Sequence, residues 1–330
     1  MPALVLVRGM GSIGRRHARV FRSLGHEVRG WPVRTRDSDS DPHGVPLLTD
    51  REGLATAAVA DLVVVATDTA RHADDALMAL DAGGGRVLVE KPVAPTVADA
   101  ERLLAHPSAN ERVMVAAPLR AHLGFRHFHA AVGTLERPRF AAVVSQSWLP
   151  SWRPERDYRD SYSSRRDEGG ALRDLVHEID YAIVALGRPR HLTALLDAEG
   201  PLEIAAEQAA TLLWATDSGS VTVRVDYVTR PARRGAVVTS PSGTVAWDPT
   251  TATVTTTSAD GATRVSSTPE DLDRDRVMAR QSRAALTMSG STSLAERLDA
   301  GAPASLAEGL LAVQVCDDAR SFRAEEERPR

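Results

Sequence analysis

A glycine-rich turn near the N-terminus constrains the fold of this chain more than any other feature of its sequence. The turn is Gly9-Met10-Gly11-Ser12-Ile13-Gly14; it follows an apolar run at 3–7 and precedes a stretch with helical spacing. Between a buried strand and a helix, such glycines allow a tight turn and close approach of the backbone to a pyrophosphate at the helix N-terminus. We therefore predict that this turn binds a dinucleotide, through Gly9, Gly11, Ser12, Ile13 and Gly14. The alternative is a tight turn without a ligand.

Strands and helices alternate through the first ~120 residues, with apolar runs at 62–66, 87–89 and 113–117 separated by segments of helical spacing. This alternation predicts a doubly wound parallel sheet. After residue 119, Thr/Val-rich strand-like segments follow one another with few helices, which predicts an α+β domain with a large open mixed sheet. We predict an α/β protein with a Rossmann domain at 1–118 and a substrate-binding and oligomerisation domain at 119–330. Its last helix, at about 305–322, can pack back on the first domain.

Composition excludes several classes of function. The chain has 330 residues and a net charge of −4, so no basic field points to nucleic acid or to an anionic membrane. The single cysteine, Cys316, cannot form an intrachain disulfide, which is typical of a reducing compartment. No apolar run approaches the ~18 residues of a membrane span. We expect a cytoplasmic protein with a small-molecule partner and no metal site.

One residue count singles out a candidate catalytic group. Of the 40 lysines and arginines, only Lys91 is a lysine. Coding bias explains the general replacement of lysine by arginine. The exception nevertheless indicates a position where arginine cannot serve, because arginine stays protonated at any working pH and lysine does not.

The segment after the second predicted strand reports on the cofactor. NAD-binding domains usually place an acidic residue there, to bond the ribose hydroxyls. Here no acid occurs before Asp37, and Arg34 and Arg36 precede it. Two guanidinium groups can hold a 2′-phosphate, so we favour NADP(H) over NAD(H). The alternative is that both arginines are solvated loop residues.

Further motifs, in the same order along almost the whole chain, resemble the glucose–fructose oxidoreductase/inositol dehydrogenase/MocA (Gfo/Idh/MocA) oxidoreductase family. The residues that carry the resemblance are Gly9, Gly11 and Gly14, Ala66-Thr67 with His72, Glu90-Lys91-Pro92, Arg120 and His122, and Gly169-Gly170 ahead of His177-Glu178-Ile179-Asp180.

The resemblance implies hydride transfer between a nicotinamide and a secondary alcohol or ketone of a sugar, sugar derivative or cyclitol. It implies that Lys91 lies near the nicotinamide and substrate and that His177 is the acid/base. Asp180, one helical turn after His177, and Arg120 would bind substrate. The cofactor site would also include Arg34, Thr67, His72, Glu90 and Pro92.

The sequence departs from the family pattern beside the histidine. Many members carry an aspartate four residues before it, where this chain has Arg173, and Asp174 stands three residues before. Both spacings place a carboxylate on the face of the histidine. We predict Asp174 as the orienting partner of His177, with a solvated surface acid as the alternative.

The residues after Gly169-Gly170 predict a helix at 171–186 that carries His177. The loop ahead of it, at 152–162, is rich in aromatic and guanidinium groups, and we call it the aromatic loop. We predict that Arg153, Tyr158 and Tyr162 bind a polar substrate, and these groups would also suit an anionic substituent on it. The alternative is a surface lid without direct contact.

Two other functions are compatible with the same motifs. One is an enzyme that acts on a non-sugar substrate, as in biliverdin-reductase-like or dihydrodiol-dehydrogenase-like members; a flat apolar pocket with Arg153 and Tyr158 turned away would favour it. The other is a dinucleotide-sensing regulator, which the joint presence of Lys91 and His177 disfavours. A homodimer or homotetramer packed through the open sheet would be typical of the family.

Overall fold

The computed structural model describes residues 1–34 and 39–326, with side chains of the last helix up to 322. In these residues the strands are β1 (Leu4–Arg8), β2 (Glu27–Trp31), β3 (Leu62–Val65), β4 (Arg86–Val89), β5 (Val113–Val115), β6 (Arg139–Trp148), β7 (Leu192–Asp197), β8 (Ala209–Thr216), β9 (Gly219–Asp226), β10 (Val228–Ser240), β11 (Gly243–Asp248), β12 (Thr253–Ser258), β13 (Thr263–Ser267) and β14 (Ala304–Ser305). The helices are α1 (Ser12–Ser23), α2 (Asp50–Ala57), α3 (His72–Asp81), α4 (Val97–Leu104), α5 (Ala109–Arg112), α6 (Leu123–Thr134), α7 (Ala171–Asp174), α8 (Val176–Leu186), α9 (Arg274–Thr287), α10 (Leu294–Ala300) and α11 (Leu306–Glu326).

The structure divides into two compact units, the first of which comprises residues 1–121 and 273–311. Its sheet has the strand order β14-β5-β4-β3-β1-β2. All its strand pairs are parallel except that of β14 with β5. The strand β3 is buried throughout, as expected for a central parallel strand flanked by helices on both faces. This arrangement confirms the predicted Rossmann sheet.

The first unit contains a segment that the sequence had assigned to the second domain. Residues 273–311 group with the first unit, although we predicted one second domain over 119–330. The segment is held there by contacts distant in sequence. Asp275 on α9 pairs with Arg16 and Arg19 on α1, and the Arg86 guanidinium donates to the carbonyl oxygens of Leu286 and Met288.

The second unit comprises residues 122–272 and 312–330, of which the structure describes those up to 326. Its sheet has the order β13-β12-β11-β10-β6-β9-β8-β7 and is antiparallel except for the parallel pair β6–β9. An aromatic cluster of Phe125, Phe128, Tyr181 and Trp247 fills the layer between the inner face of the sheet and helices α6 and α8. The predicted large mixed sheet is therefore confirmed.

The predicted helix at 171–186 is present with a break. Leu175 leaves helical geometry and separates α7 from α8, so the helix that carries His177 begins afresh just before it. Among the described residues, no helix combines the length and the apolar character that a membrane crossing requires.

Candidate active site

In the first unit, close packing requires glycine at two positions of the N-terminal turn, Gly9 and Gly14. Gly9 has φ +93°, and a Cβ atom on it would lie 2.6 Å from the carbonyl oxygen of Ala66. A Cβ atom on Gly14 would lie 1.9 Å from the carbonyl oxygen of Gly9, so α1 can approach β1 only without a side chain there. A Cβ atom on Gly11 would meet nothing within 4 Å. The turn therefore faces open space at its middle glycine.

The N-terminus of α1 is available to an anion. Gly11 is its N-cap and provides no side-chain hydrogen bond, and the first turn carries no acidic residue. Ser12 and Ile13, the first residues of the helix, are exposed. Unsatisfied N–H groups and the helix dipole favour a phosphate at such a terminus.

The end of β2 carries the residues on which the cofactor prediction depends. Arg34 is exposed, whereas Arg36 and Asp37 lie outside the described residues. The structure adds Arg8, the last residue of β1, whose guanidinium stacks 4.1 Å from the Trp31 ring and donates to the Pro32 carbonyl. It pairs with the buried Asp75 on α3.

An exposed carboxylate lies beside the same tryptophan. The Asp50 side chain accepts a hydrogen bond from the Trp31 indole at 2.8 Å, and its oxygen is 3.7 Å from Arg8 Nη1. Asp50 begins α2, far in sequence from the position where an acid is expected. The pattern at the end of β2 alone did not reveal it.

The predicted residues Thr67 and His72 lie together after β3. The His72 ring is buried, with Nδ1 2.7 Å from the Pro92 carbonyl oxygen and Nε2 3.1 Å from that of Thr67. Burial lowers the pKa of His72, although the two carbonyls and nearby acids oppose this. A neutral ring donates only one hydrogen bond, and we assign the proton to Nδ1 because its contact is shorter. His72 thereby joins the start of α3 to Pro92.

Glu90, Lys91 and Pro92 follow β4, and the Lys91–Pro92 peptide bond is cis. Lys91 is half-buried. Glu90 accepts hydrogen bonds from His17 Nε2 at 2.7 Å and from the Lys91 backbone N–H at 3.2 Å. Burial alone would raise the pKa of Glu90, but the His17 hydrogen bond and the charges of His17, Lys91 and His72 lower it overall. The structure thus brings a carboxylate against the chain segment that bears the only lysine.

Arg120 has a partner within the protein. Its side chain is 1% exposed, and its Nη1 lies 2.7 Å from the Glu308 carboxylate in the first turn of α11. Arg297 and the Ser305 backbone N–H also contact this carboxylate. We expected Arg120 to bind substrate, whereas the structure shows a buried ion pair that joins three segments of the first unit.

In the second unit, Asp174 is the centre of a group of hydroxyls. Its Oδ2 accepts hydrogen bonds from Ser163 and Tyr227, both at 2.6 Å. Burial, and then the negative charge of Asp174, raise the pKa of Tyr162 and Tyr227 well above the ordinary value. Both phenols therefore remain neutral donors at physiological pH. The sequence had not singled out Tyr227 or Ser163.

His177 and Asp180 lie on α8, which begins one residue before the histidine. His177 is half-buried and Asp180 is 9% exposed. Their spacing of three residues places them on one helix face.

The aromatic loop forms a pocket of about 370 Å³ in the second unit. Three predicted substrate-binding residues line it, namely Arg153, Tyr158 and Tyr162. Trp152 also lines it and stands edge-on to Tyr227, with ring centroids 5.5 Å apart. The pocket wall is therefore continuous with the hydroxyl group around Asp174.

Comparison with known proteins identifies the first unit. Residues 3–117 match the glucose–fructose oxidoreductase/inositol dehydrogenase/MocA family, an oxidoreductase family with an NAD-binding Rossmann fold. The match covers the first domain and identifies it as the NAD-binding domain found in Gfo/Idh/MocA oxidoreductases. The resemblance inferred from the sequence is thus confirmed, and the chain is an NAD-binding oxidoreductase. No curated protein matches it.

Solved structures similar to this chain include two named sugar dehydrogenases. A levoglucosan dehydrogenase in complex with NADH and levoglucosan is 15% identical, with a TM-score of 0.76 over 99% of this chain and 98% of its own. UDP-N-acetylglucosamine 3-dehydrogenase from Acidithiobacillus ferrooxidans is also 15% identical, with a TM-score of 0.73 over 97% of each chain. An oxidoreductase from Agrobacterium radiobacter, in complex with NAD+, L-tartaric acid and magnesium, is 19% identical, with a TM-score of 0.76 over 99% and 98%. The complete fold is shared.

Proposed function

We propose that this protein transfers hydride between a nicotinamide cofactor and a secondary alcohol or ketone of a sugar, sugar derivative or cyclitol. The observation that carries the proposal is the placement of Lys91, the only lysine, at the carboxyl end of β4 in a parallel sheet that also holds the glycine turn. Ligands of open α/β sheets bind at this edge. The sugar dehydrogenases among the similar structures support the substrate class.

The residues of the first unit fit the proposed cofactor. The open space at Gly11 and the uncapped start of α1 suit a pyrophosphate. Thr67 and His72, beside Gly9 and Pro92, would border the rest of the dinucleotide. The Thr67 hydroxyl is buried and has no hydrogen-bond partner among the described residues, as expected of a group whose partner is a ligand. When bound, the nicotinamide supplies or accepts the hydride.

The cofactor preference rests on charge at the end of β2. Arg34 is exposed and follows the strand closely, in keeping with a preference for the 2′-phosphate of NADP(H). Replacing Arg34 with Ala should weaken NADPH about tenfold or more, the value of a charged hydrogen bond, and leave NADH nearly unchanged. Asp50→Ala is the matched control. If the Asp50 carboxylate binds the ribose hydroxyls, its removal should weaken NADH binding. Equal affinity of the wild type for both cofactors would reject the preference.

Lys91 and His177 take complementary roles in this proposal. The Lys91 ammonium donates a hydrogen bond to the substrate oxygen. The neutral His177 imidazole accepts the hydroxyl proton during oxidation, and the imidazolium returns it during reduction. Asp174, held by Tyr227 and Ser163, is the fixed negative charge that would orient the histidine.

The single lysine allows the location of the cofactor site to be tested without a substrate. An amine-directed reagent should modify Lys91, and NADPH should protect it, as read by peptide mass spectrometry. Arg264→Lys, on the exposed strand β13, introduces a control lysine that should react equally with and without cofactor. If NADPH binds and Lys91 is still modified at an unchanged rate, Lys91 does not contact the cofactor site.

The pocket of the second unit suits a polar substrate. Arg153, Tyr158 and Tyr162 line it together with Asp157 and Asp160. A flat apolar pocket with Arg153 and Tyr158 turned away would favour the non-sugar alternative. Asp180, one helical turn after His177 on α8, would bind substrate hydroxyls. A panel of neutral sugars, cyclitols, sugar acids and nucleotide sugars, followed by nicotinamide absorbance, tests this assignment. Turnover of apolar ketones in preference to all of these would contradict it.

The outer face of the large sheet suits a second copy of the chain. Five large apolar side chains on it are 41–61% exposed: Phe140, Leu195, Leu213, Val237 and Val265. One transverse row crosses every strand of this sheet without a charged residue, through Thr193, Leu213, Thr222, Ala142, Val237, Ala246, Thr255 and Val265. The face measures about 34 Å by about 20 Å, so a copy packed on it would bury about 1,300 Å² in total, a standard interface.

We therefore propose a homodimer or homotetramer built on this face. Val237→Arg should lower the mass measured by light scattering, because it places a charge in the middle of the uncharged row. An unchanged mass, or a monomeric wild type, would reject the interface.

A further inference from the structure

A histidine that is buried beneath the Glu90–Lys91 segment has no assigned role. His17 lies on α1, three residues after Gly14, and its side chain is fully buried. Its Nε2 atom is 2.7 Å from Glu90 Oε1. The helix that begins at the dinucleotide turn is thus connected directly to the residue before Lys91.

The contacts define which ring nitrogen carries the proton. A carboxylate accepts hydrogen bonds, so Nε2 must be the donor. The other nitrogen, Nδ1, is buried and has no hydrogen-bond partner among the described residues. Only the Nε2–H group of His17 is therefore used, and any side chain that places a donor at that point should replace it.

The carboxylate of Glu90 relays this contact to Lys91. Its second oxygen, Oε2, accepts a hydrogen bond from the Lys91 backbone N–H at 3.2 Å. On the far side, His72 from α3 contacts the Pro92 carbonyl. The main chain on both sides of Lys91 is thereby held by histidines from two helices.

Loss of the donor would change the charge beside Lys91. The groups that act on the Glu90 carboxyl are His17 from α1, His72 from α3 and Lys91 itself, and burial opposes all three. Without the His17 hydrogen bond, less would oppose the effect of burial, and the pKa of Glu90 would rise. A protonated Glu90 would be neutral and would hold the Lys91 amide less firmly, since neutral acceptors form weaker hydrogen bonds.

We propose that His17 is a positioning residue, whose Nε2–H group holds the Glu90 carboxylate so that its second oxygen fixes the backbone of Lys91 and directs the ammonium group. This inference rests on the proposed role of Lys91. It adds a residue that the motif Glu90-Lys91-Pro92 does not contain.

Two substitutions at one position separate the hydrogen bond from packing. His17→Gln keeps an N–H donor near the place of Nε2, whereas His17→Leu fills similar space without a donor. In His17→Leu, kcat should fall about 10- to 100-fold, the usual cost of displacing a reactive group by ~1 Å. Because the pKa of Glu90 rises, the acidic limb of the kcat/KM profile should move to higher pH. His17→Gln should keep most of the wild-type kcat and the wild-type position of the acidic limb. The affinity for NADPH should be unchanged in both variants.

Spectroscopy of the protein without cofactor or substrate tests the same contacts independently of activity. The infrared band of the protonated Glu90 carboxyl group should appear at a higher pH in His17→Leu than in the wild type, and it should be missing from the double variant His17→Leu/Glu90→Gln. In ¹⁵N-histidine spectra, the ring signal that is present in the wild type and absent from His17→Gln belongs to His17. This signal should show the Nε2–H tautomer. The measurement does not depend on the folding of His17→Leu.

The result that overturns the inference is an Nδ1–H tautomer for His17, or a loss in His17→Gln equal to that in His17→Leu. A folded His17→Leu variant in which neither the carboxyl band nor the pH limb has moved would overturn it too. If the spectra agree but no sugar is oxidised or reduced, the proposed function fails and the His17–Glu90 contact remains.

Discussion

Replacement of the only lysine by arginine tests the chemistry assigned to it. Lys91→Arg keeps the positive charge, but the guanidinium is planar, permanently protonated and extends about one C–N bond, roughly 1.3 Å, further from the backbone. The segment that carries Lys91 is held by Glu90 below and by His72 beyond Pro92, so the main chain cannot easily shift to compensate. A displacement of ~1 Å costs about 10²-fold in rate, which corresponds to about 2.7 kcal/mol of transition-state stabilisation.

The assay is turnover at saturating cofactor together with the dissociation constant of NADPH from fluorescence. We expect Lys91→Arg to bind NADPH within about threefold of the wild type, because the charge is kept, and to lose about 10²-fold in kcat. Lys91→Met should lose a similar factor, and equal losses would show that charge alone does not suffice. If Lys91→Arg retains more than about half of the wild-type turnover, the reaction does not require a lysine at this position.

Three further predictions address other parts of the structure. His177→Ala should lower kcat about 10²–10⁴-fold, the usual contribution of a general acid/base; an unchanged kcat with intact cofactor binding would assign that role elsewhere. Arg153→Ala should raise KM for the true substrate more than it lowers kcat, as expected when ground-state binding is lost; an unchanged KM would reduce the loop to a lid. Burial raises the pKa of the Cys316 thiol to about 12. A disulfide reagent at about pH 8 should therefore leave the native protein unlabelled and should label its one thiol after denaturation. Rapid labelling of the native protein would contradict the burial of Cys316.

The fold could be predicted where local pattern and tertiary environment agree. The run Leu62–Val65 is apolar throughout because both faces of β3 are covered, and the change to Thr/Val-rich strands marks the second sheet. The helix α2 was missed although Thr49 and Glu52 form a capping box that the sequence shows. The packing of residues 273–311 with the first unit could not be predicted. It depends on pairs distant in sequence, such as Arg16–Asp275, and no periodicity in the sequence indicates such pairs.

The candidate site was predicted where motifs carry it and missed where it depends on packing. The glycine turn, His72 and Glu90-Lys91-Pro92 lie together in the first unit, and the aromatic loop lines one pocket in the second. His17 could have been noticed as a polar residue on the buried face of α1, with Ala18 and Phe21. The partner of Arg120 could not, since the Glu308 carboxylate is 188 positions away in sequence.

Transfer of a labelled hydride from the cofactor to a sugar tests the proposed reaction itself. Keto-sugars, oxidised cyclitols and sugar acids would be incubated with NADPH that carries deuterium at the reactive carbon of the nicotinamide, and products would be analysed by mass spectrometry. We expect one product that gains a single deuterium on a ring carbinol carbon, formed at an initial rate about 10²-fold lower in Lys91→Arg. A protein that binds NADPH yet transfers deuterium to none of these compounds, or forms a product whose new hydrogen comes from solvent, would contradict it.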